Sequence, residues 1–247
     1  MGNLYTNLSA VYEAMYQSFN NYDEEYEFYS NILRKYNCHS LLETGCGTGN
    51  LASRFIKNNF DYTGMDFSEG MLNIAKKNNA QGKFMAGDMR AFELETKVDA
   101  CIFTGRTISH LIQNKEVLDT LQCIHKNLKS PGIVCFDCID ANQFVPITFP
   151  SKKMIHKVNF QNKTYLRESF WEPTFTDSWS FVWNSFFYYE NENGQLTAIG
   201  EDTTAIRTFT KDEMIIFLQL AGFHVLEMIA KPSYAFDTFV MVAKKIN

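Results

Sequence analysis

Residues 41–49 contain the feature that most constrains the fold, three glycines spaced G-x-G-x-G at the end of an apolar segment. Leu41 and Leu42 before them predict a buried strand, and the apolar residues of 51–56 have helical spacing. Glycine at a strand-to-helix junction accepts positive φ and leaves no Cβ in the path of a ligand. The segment therefore predicts a site where a small molecule lies against bare backbone.

The carboxylate of Glu43, two residues before the first glycine, indicates the charge of that molecule. A pyrophosphate would meet it as a like charge, whereas an ammonium or sulfonium group would be attracted. The spacing also differs from the G-x-G-x-x-G of dinucleotide binders. Free N–H groups at the start of the helix are expected to add donors. The site is predicted to prefer a cation.

Residues 43–49, Glu-Thr-Gly-Cys-Gly-Thr-Gly, resemble the first motif of class I S-adenosylmethionine-dependent methyltransferases. The donor of that family carries both an ammonium and a sulfonium. The resemblance implies that S-adenosylmethionine is the cofactor and S-adenosylhomocysteine its product. It also implies donor contacts from Glu43, Gly45, Cys46, Gly47 and Gly49.

Strand and helix patterns alternate from residue 41 to 139, which predicts a parallel sheet covered by helices on both faces. Two helices are predicted before it, at 4–19 and 23–36. Residues 210–213 form a capping box for a last helix, and two strands predicted to be antiparallel follow. The predicted fold is α/β, a doubly wound, mostly parallel seven-stranded sheet with an antiparallel C-terminal strand. This sheet resembles that of the methyltransferases.

Residues 141–209 interrupt this order with an aromatic segment of period-two alternation that holds all three tryptophans. Asn191-Glu192-Asn193-Gly194 predicts a hairpin within it. We expect an antiparallel β insertion after strand five, on the substrate side or at a homodimer interface. The domains are then a helical cover (1–37), a Rossmann-like donor-binding domain (38–140 and 210–247) and the insertion (141–209).

Ligands of such sheets bind outside the carboxyl ends of the strands, where several side chains are placed to contact the donor. Strand two ends at Asp66, 21 positions after Gly45, a spacing that lets a carboxylate take both ribose hydroxyls. Strand three leads to Asp88, which resembles the adenine-edge motif of the family. Either carboxylate alone could equally cap a helix. The other predicted donor contacts are Phe67 and Met71 beside the adenine, Met89, Thr104 and Tyr22.

Residues 104–111, after strand four, look like the substrate-side segment of glycine and sugar N-methyltransferases. His110 is predicted to hold the acceptor or take its proton, and a structural histidine is the alternative. Arg106 is predicted to bind an acidic group of the substrate, unless it is a surface residue. Asp137 is the substrate-side candidate after strand five, where the glycine enzyme supplies an arginine, so glycine is disfavoured as acceptor.

Tyr12 and Tyr16 lie one turn apart on the first predicted helix and can point into one cleft. In the resembled enzymes this region covers the donor and places a tyrosine near the methyl group. The resemblance thus makes both tyrosines catalytic candidates, although core packing explains them equally well.

Composition excludes several partners. A net charge of −5 leaves no basic field for nucleic acid or an anionic membrane. The six cysteines lie mostly in apolar runs, and no metal-ligand spacing is present, so we predict reduced thiols and no metal site. Without a predicted membrane span or signal peptide, a soluble cytoplasmic protein is expected.

The predicted activity is methyl transfer to an amine of a small molecule, with a hydroxyl as the second choice. In-line displacement needs aligned reactants and excluded water rather than a metal. Two alternatives remain at this stage. One is an NAD-dependent oxidoreductase, and the other is a protein that binds S-adenosylmethionine without catalysis.

Overall fold

The computed structural model describes residues 14–15, 17–18, 20–147, 153–161, 163–174, 178–233 and 237–246. The strands are β1 (Ser40–Thr44), β2 (Asp61–Asp66), β3 (Lys83–Ala86), β4 (Val98–Phe103), β5 (Leu128–Ile139), β6 (Met154–Phe160), β7 (Lys163–Pro173), β8 (Ser180–Glu190), β9 (Leu196–Arg207), β10 (Phe223–Lys231) and β11 (Thr238–Lys245). The helices are α1 (Tyr22–Lys35), α2 (Ala52–Lys57), α3 (Glu69–Asn78), α4 (Asn114–Asn127), α5 (Ala141–Ile147) and α6 (Lys211–Leu220), and residues 107–110 form a short 3-10 turn.

The central sheet has seven strands in the order β10-β11-β5-β4-β1-β2-β3. Strand β11 runs antiparallel to both β10 and β5, whereas the β5-β4-β1-β2-β3 pairs are parallel. The predicted fold class is confirmed. The strand order reverses between β1 and β4, so the loops after these two strands diverge and leave a crevice at their carboxyl ends.

Helices cover both faces of the central sheet, and each face has its own apolar core. Phe103, Phe136 and Leu121 belong to the core beneath α4 and α6, and Tyr29 and Phe55 belong to the core beneath α1 and α2. The fifth strand starts at Leu128, directly after the last residue of α4.

The six cysteines are all free and buried. Cys135 and Cys138 belong to opposite cores, because residues three apart on a strand point to opposite faces. One metal ion could therefore not take both as ligands.

Two helices begin at well-defined caps, and the capping box predicted at 210–213 is confirmed. The Ser68 hydroxyl accepts a hydrogen bond from the Met71 backbone N–H at 3.3 Å and caps α3. Thr210 and Glu213 form the reciprocal capping box of α6. The predicted helix at 4–19 lies almost entirely outside the described residues. No helix in the described ranges combines the length and apolarity that a membrane span requires.

The chain between β5 and α6 forms a second, antiparallel sheet in the order β6-β7-β8-β9. The predicted hairpin joins β8 to β9, with Gly194 at φ 77°. Helix α5 packs Phe144 edge-on against Trp171 and Phe181 of this sheet. Since side chains of a strand alternate between faces, the register places Arg167, Trp183 and Asp202 on the same face of the sheet.

Arg207 anchors the end of this insertion to the central domain. Its side chain is fully buried, forms an ion pair with Glu213 and donates to Asn114 Oδ1 at 2.7 Å and to the Ile112 carbonyl at 3.2 Å. One guanidinium thus joins β9 to the first turns of α4 and α6. The fork geometry of arginine suits it to several acceptors at once.

The Glu213→Gln variant is expected to lower the free energy of unfolding by about 2 kcal/mol, because it leaves the buried Arg207 charge without its counter-ion. Glutamine still serves the capping box, so the ion pair alone is tested. Urea unfolding measures the change. The matched control is Asp212→Asn, an exposed residue of the same helix turn. Equal midpoints for both variants would show that the ion pair does not stabilise the junction.

Candidate active site

A cavity of about 720 Å³ lies at the carboxyl ends of the central strands, between the start of α1 and the inner face of the insertion. Fourteen residues predicted for the site line it: Tyr22, Glu43, Gly45, Cys46, Gly47, Asp66, Phe67, Met71, Asp88, Met89, Thr104, Arg106, His110 and Asp137. Gly49 is absent from the lining, and Tyr12 and Tyr16 lie outside the described residues.

Glu43 is the buried acid at the floor of the cavity, with an exposed fraction of 3%. Its carboxylate accepts hydrogen bonds from Tyr62 Oη at 2.5 Å and from Thr104 Oγ1 at 3.4 Å. Burial raises the pKa of Glu43 to about 7, and the two hydroxyl donors only partly oppose this. A cation bound above Glu43 would favour the ionised carboxylate.

The three glycines of the loop have positive φ angles, but they serve different purposes. A Cβ at Gly45 would lie 2.5 Å from Thr107 Cγ2, so this glycine lets the loop after β4 approach. A Cβ at Gly47 would meet no atom within 4 Å. Gly49 packs against Ala75 and Asn79 of the α3 region instead of the cavity. Only the space at Gly47 suits a ligand lying on the backbone.

The N–H groups of the glycine loop are largely committed to hydrogen bonds within the protein. Gly45 and Cys46 donate to the Met65 carbonyl at 2.7 and 3.1 Å. Gly47 donates to Asp66 Oδ2 at 2.8 Å, and Gly49 donates to the Cys46 carbonyl at 3.0 Å. The loop therefore lacks the array of amides that a pyrophosphate requires.

Alanine at Gly45 and at Gly47 should have different effects. Both positions carry a left-handed strain cost of about 1 kcal/mol. Gly45→Ala also forces the clash with Thr107 and is expected to lower the free energy of unfolding by roughly 2–4 kcal/mol in total. Gly47→Ala should fold nearly as well as the wild type and bind S-adenosylhomocysteine at least about tenfold more weakly, because its methyl group enters the cavity. Thermal unfolding measures the loss of stability, and calorimetry measures the loss of ligand affinity. A destabilised Gly47→Ala together with a stable Gly45→Ala that binds the ligand weakly would refute the assignment.

Asp66 and Asp88 flank the region where the adenosine is expected, and each is held by the protein. Asp66 Oδ1 accepts from the Ser68 N–H at 2.8 Å, and Asp66 Oδ2 accepts from the Gly47 N–H. The two backbone N–H groups thus hold both oxygens of the carboxylate. Burial raises the pKa of Asp66. Arg90, which sequence reasoning missed, donates to the Asp88 carboxylate from Nε and from Nη2, the latter at 2.7 Å. These hydrogen bonds lower the pKa of Asp88. Carboxylate oxygens have lone pairs to spare, so both residues can still accept from a ligand.

Apolar side chains complete this half of the cavity. Phe67 is exposed by 61%, unusual for an aromatic ring, and its surface lies at the cavity. Met71 is buried by contrast, at 2% exposure. An exposed ring beside a polar carboxylate suits a planar heterocycle with polar edges.

The loop after β4 brings His110 and Arg106 to the other half of the cavity. Gly105 and Arg106 are both left-handed, at φ 66° and 67°, and the Arg106 N–H donates to Asp137 Oδ1 at 2.9 Å. Asp137 thus holds this strained turn in place. The Arg106 side chain reaches Ser233 Oγ at 3.2 Å and lines the cavity, so it is not merely a surface arginine.

His110 lies on the 3-10 turn and its accessible surface belongs to the cavity. The side chain is exposed toward the cavity, and desolvation by the cavity walls lowers the pKa of His110. The charges of Asp202 and Arg106 act on it in opposite directions, Asp202 raising and Arg106 lowering it. The lowered pKa favours the neutral ring, which is able to accept a proton.

Sequence reasoning missed the residues that the insertion contributes to the cavity. They come from its inner face: Met154, His156, Arg167, Ser169, Trp171, Trp183, Thr204 and Ile206. The period-two pattern of the strands separates the two faces, but it does not say which face meets the central sheet. Only the packing of β9 against the turn that carries His110 decides this.

Comparison with known proteins agrees with this geometry. Residues 41–132 match a family model described as a methyltransferase domain. Over 249 aligned residues, the chain is 28% identical to a Geobacillus sp. (strain WCH70) protein named only at the level of methyltransferase, and the alignment covers 91% of this chain and 93% of that protein.

Two further relatives have more specific names. A Streptomyces venezuelae protein named dTDP-3-amino-3,4,6-trideoxy-alpha-D-glucopyranose N,N-dimethyltransferase is 32% identical over 95 residues, or 38% of this chain and 40% of that one. The S-adenosylmethionine-bound structure of CalS10, an amino pentose methyltransferase from Micromonospora echinaspora, matches with a TM-score of 0.77 at 19% identity, covering 96% and 97% of the two chains.

The fold is shared with solved structures of S-adenosylmethionine-dependent methyltransferases, and the glycine loop has no pyrophosphate clamp. Residues 41–132 thus form a methyltransferase domain, which agrees with the S-adenosylmethionine donor that the sequence resemblance implies. The matched domain argues against the oxidoreductase alternative.

Proposed function

We propose that the protein transfers the methyl group to an amine of a small-molecule acceptor, with His110 beside the acceptor. The observation that carries this is the single cavity shared by the Glu43 cradle, His110 and the inner face of the insertion. The relatives named for N,N-dimethylation and for an amino pentose favour nitrogen over oxygen. A hydroxyl acceptor remains the second candidate.

In this proposal the acidic half of the cavity binds the donor. Glu43 faces its ammonium group, and Asp66 takes the ribose hydroxyls. Asp88 and Met89 meet the edge of the adenine, with Phe67 and Met71 on its faces. The donor supplies an electrophilic methyl group on sulfur. Residues 38–140 and 210–247 form this half, 141–209 form the acceptor wall, and 1–37 form the cover.

The other half positions the acceptor. His110 is neutral and either accepts the proton of the incoming ammonium or orients the free amine. Arg106, fixed by Asp137, binds an acidic group of the acceptor through its planar fork. Because charge is dispersed during the displacement, the enclosing walls act mainly by alignment and exclusion of water.

The test is a turnover assay on the purified protein with S-adenosylmethionine. Acceptors are a nucleotide-linked 3-amino sugar, its 3-hydroxy analogue, and glycine, and mass spectrometry detects the product. We expect methylation of the amino sugar at a rate at least about tenfold above the hydroxy analogue, since an amine needs less help from a base. Preference for the hydroxy analogue, or for glycine, would refute this acceptor class.

A further inference from the structure

Arg90 holds the carboxylate of Asp88 through three N–H donors. It lines the cavity in the turn after β3, two residues beyond Asp88. Its backbone N–H and its Nε donate to Asp88 Oδ1 at 2.9 and 3.0 Å, and its Nη2 donates to Asp88 Oδ2 at 2.7 Å. Nε also lies 3.1 Å from Oδ2, so it is shared between the two oxygens. This two-point contact fixes the orientation of the carboxylate relative to the guanidinium.

The other end of the same guanidinium is anchored to helix α4. Arg90 Nη1 donates to Glu116 Oε1 at 2.5 Å. Glu116 Oε2 in turn accepts from the backbone N–H groups of Ile112 at 3.0 Å and Gln113 at 3.1 Å, so it is fixed by the first turn of the helix. The Arg90 side chain is 42% exposed, and ion pairs this exposed add little to stability. The arrangement therefore acts mainly on the orientation of Asp88.

These contacts limit what Asp88 can still bind. An ionised carboxylate has about four lone-pair positions, and Arg90 occupies both on Oδ1 and one on Oδ2. One position on Oδ2 is left for a ligand. The hydrogen bonds from Arg90 also lower the pKa of Asp88, so the carboxyl group carries no proton to donate. A ligand atom at this position must therefore be a donor, and a carbonyl oxygen would be repelled.

Purines differ in this property at position 6. The amino group of adenine donates hydrogen bonds, whereas the carbonyl oxygen of a 6-oxopurine only accepts them. A carboxylate that is held in place discriminates between the two, because it cannot turn away from the oxygen. A carboxylate free to rotate would avoid the oxygen and let water take its place, and it would discriminate less.

We propose that Arg90 is a positioning residue that makes the donor site selective for a 6-aminopurine over a 6-oxopurine, by fixing Asp88 as an acceptor of one further hydrogen bond. The inference rests on the proposed function, which places Asp88 at the edge of the adenine. Arg90 acts through Asp88 and needs no contact of its own with the donor.

The test compares the affinities of S-adenosylhomocysteine and S-inosylhomocysteine, measured by calorimetry. Both ligands carry the same ammonium, sulfur and ribose, so the ratio of their affinities reports the purine edge alone. The wild type is expected to bind the adenine compound at least about 30-fold more tightly, as for one hydrogen bond to a charged group. Arg90→Met should reduce this ratio at least about fivefold, because the fork that orients Asp88 is lost. Arg90→Lys keeps the charge without the fork and should restore only part of it.

A double-mutant cycle shows whether Arg90 acts through Asp88. Asp88→Asn should reduce the ratio strongly, since an amide can donate to a 6-oxo group. In the Asp88→Asn protein, Arg90→Met should change the ratio by less than about twofold, because the two residues act as a unit. The matched control is Lys83→Met, which removes an equally exposed ion pair with Asp61 outside the cavity lining and should keep the wild-type ratio.

Two results would overturn the inference while Asp88 keeps its place. In one, Arg90→Met and Arg90→Lys weaken both ligands by the same factor, which would mean that Arg90 only supports the loop. In the other, Arg90→Met changes the ratio equally with and without Asp88→Asn. If Asp88→Asn itself leaves the ratio unchanged, the placement of Asp88 at the adenine fails together with the inference. Turnover of the amino sugar is measured separately, so failure of the acceptor class is distinguished from both.

Discussion

Replacement of Glu43 by Gln is expected to weaken S-adenosylmethionine binding about 100-fold, or roughly 3 kcal/mol, because a buried carboxylate facing a cation is lost. The variant keeps the shape of the side chain and can still accept from Tyr62 Oη. The loss therefore reports charge rather than packing. Calorimetry with S-adenosylmethionine and S-adenosylhomocysteine measures it. Both ligands carry the ammonium, so both should weaken.

The pH dependence of donor binding should identify the same group. The pKa of Glu43 in the free protein is about 7, and a bound cation lowers it. Donor affinity should therefore be full above pH 8 and fall as the pH drops below 7, by up to about tenfold per unit. Glu43→Gln should show no such dependence. A wild-type affinity that stays constant from pH 8 to 6 would contradict this role.

Stability without ligand should change in the opposite direction. A carboxyl group whose folded pKa lies above its unfolded value stabilises the fold at low pH, and this contribution is lost as pH rises through about 7. Neutral Gln removes that penalty, so Glu43→Gln is expected to be more stable than the wild type at pH 8, by up to about 3 kcal/mol. The control is Glu69→Gln, an exposed residue of α3. It should alter neither donor affinity nor stability appreciably.

Replacement of His110 by Ala is expected to lower kcat about 100- to 1000-fold and to leave donor affinity unchanged, because the ring faces the acceptor half of the cavity. In the wild type, the pH profile of kcat/KM should fall on the acid side at a pH below 6.5, since desolvation by the cavity walls lowers the pKa of His110. The variant should lose this inflection. Steady-state kinetics across pH with the methylated amine as readout measures both effects.

The control for His110 is His39→Ala, an exposed histidine that is not part of the cavity lining. Its kcat should equal that of the wild type. Normal turnover and an unchanged acid limb in His110→Ala would show that His110 is only structural. A raised KM with normal kcat would assign it to acceptor binding instead of proton transfer.

The domain-scale features of this fold follow from local patterns. The glycines of 45–49, the caps at Ser68 and Thr210 and the alternation of strands with helices predict the parallel sheet and its reversed last strand. These signals are local, because turn chemistry and side-chain periodicity act within a few residues. The acidic donor-half candidates could be predicted for the same reason, since Glu43, Asp66 and Asp88 lie at or just after the end of a strand.

The roles within the loop were not predictable in the same way. Gly45 and Gly49 look equivalent in sequence, yet Gly45 leaves room for the side chain of Thr107, whereas Gly49 leaves room for α3 to pack closely. Arg90 was overlooked because a charged residue in a loop has no distinctive pattern until its partners, Asp88 and Glu116, are in place.

The sequence by itself determined the fold class and the charge preference of the donor cradle, because both depend on residues adjacent in the chain. Tertiary structure alone decided that the insertion turns Arg167 and Trp183 toward His110, and that burial brings the pKa of Glu43 close to 7. Those properties arise from segments more than 50 residues apart in the chain, and from desolvation that only the packed fold creates.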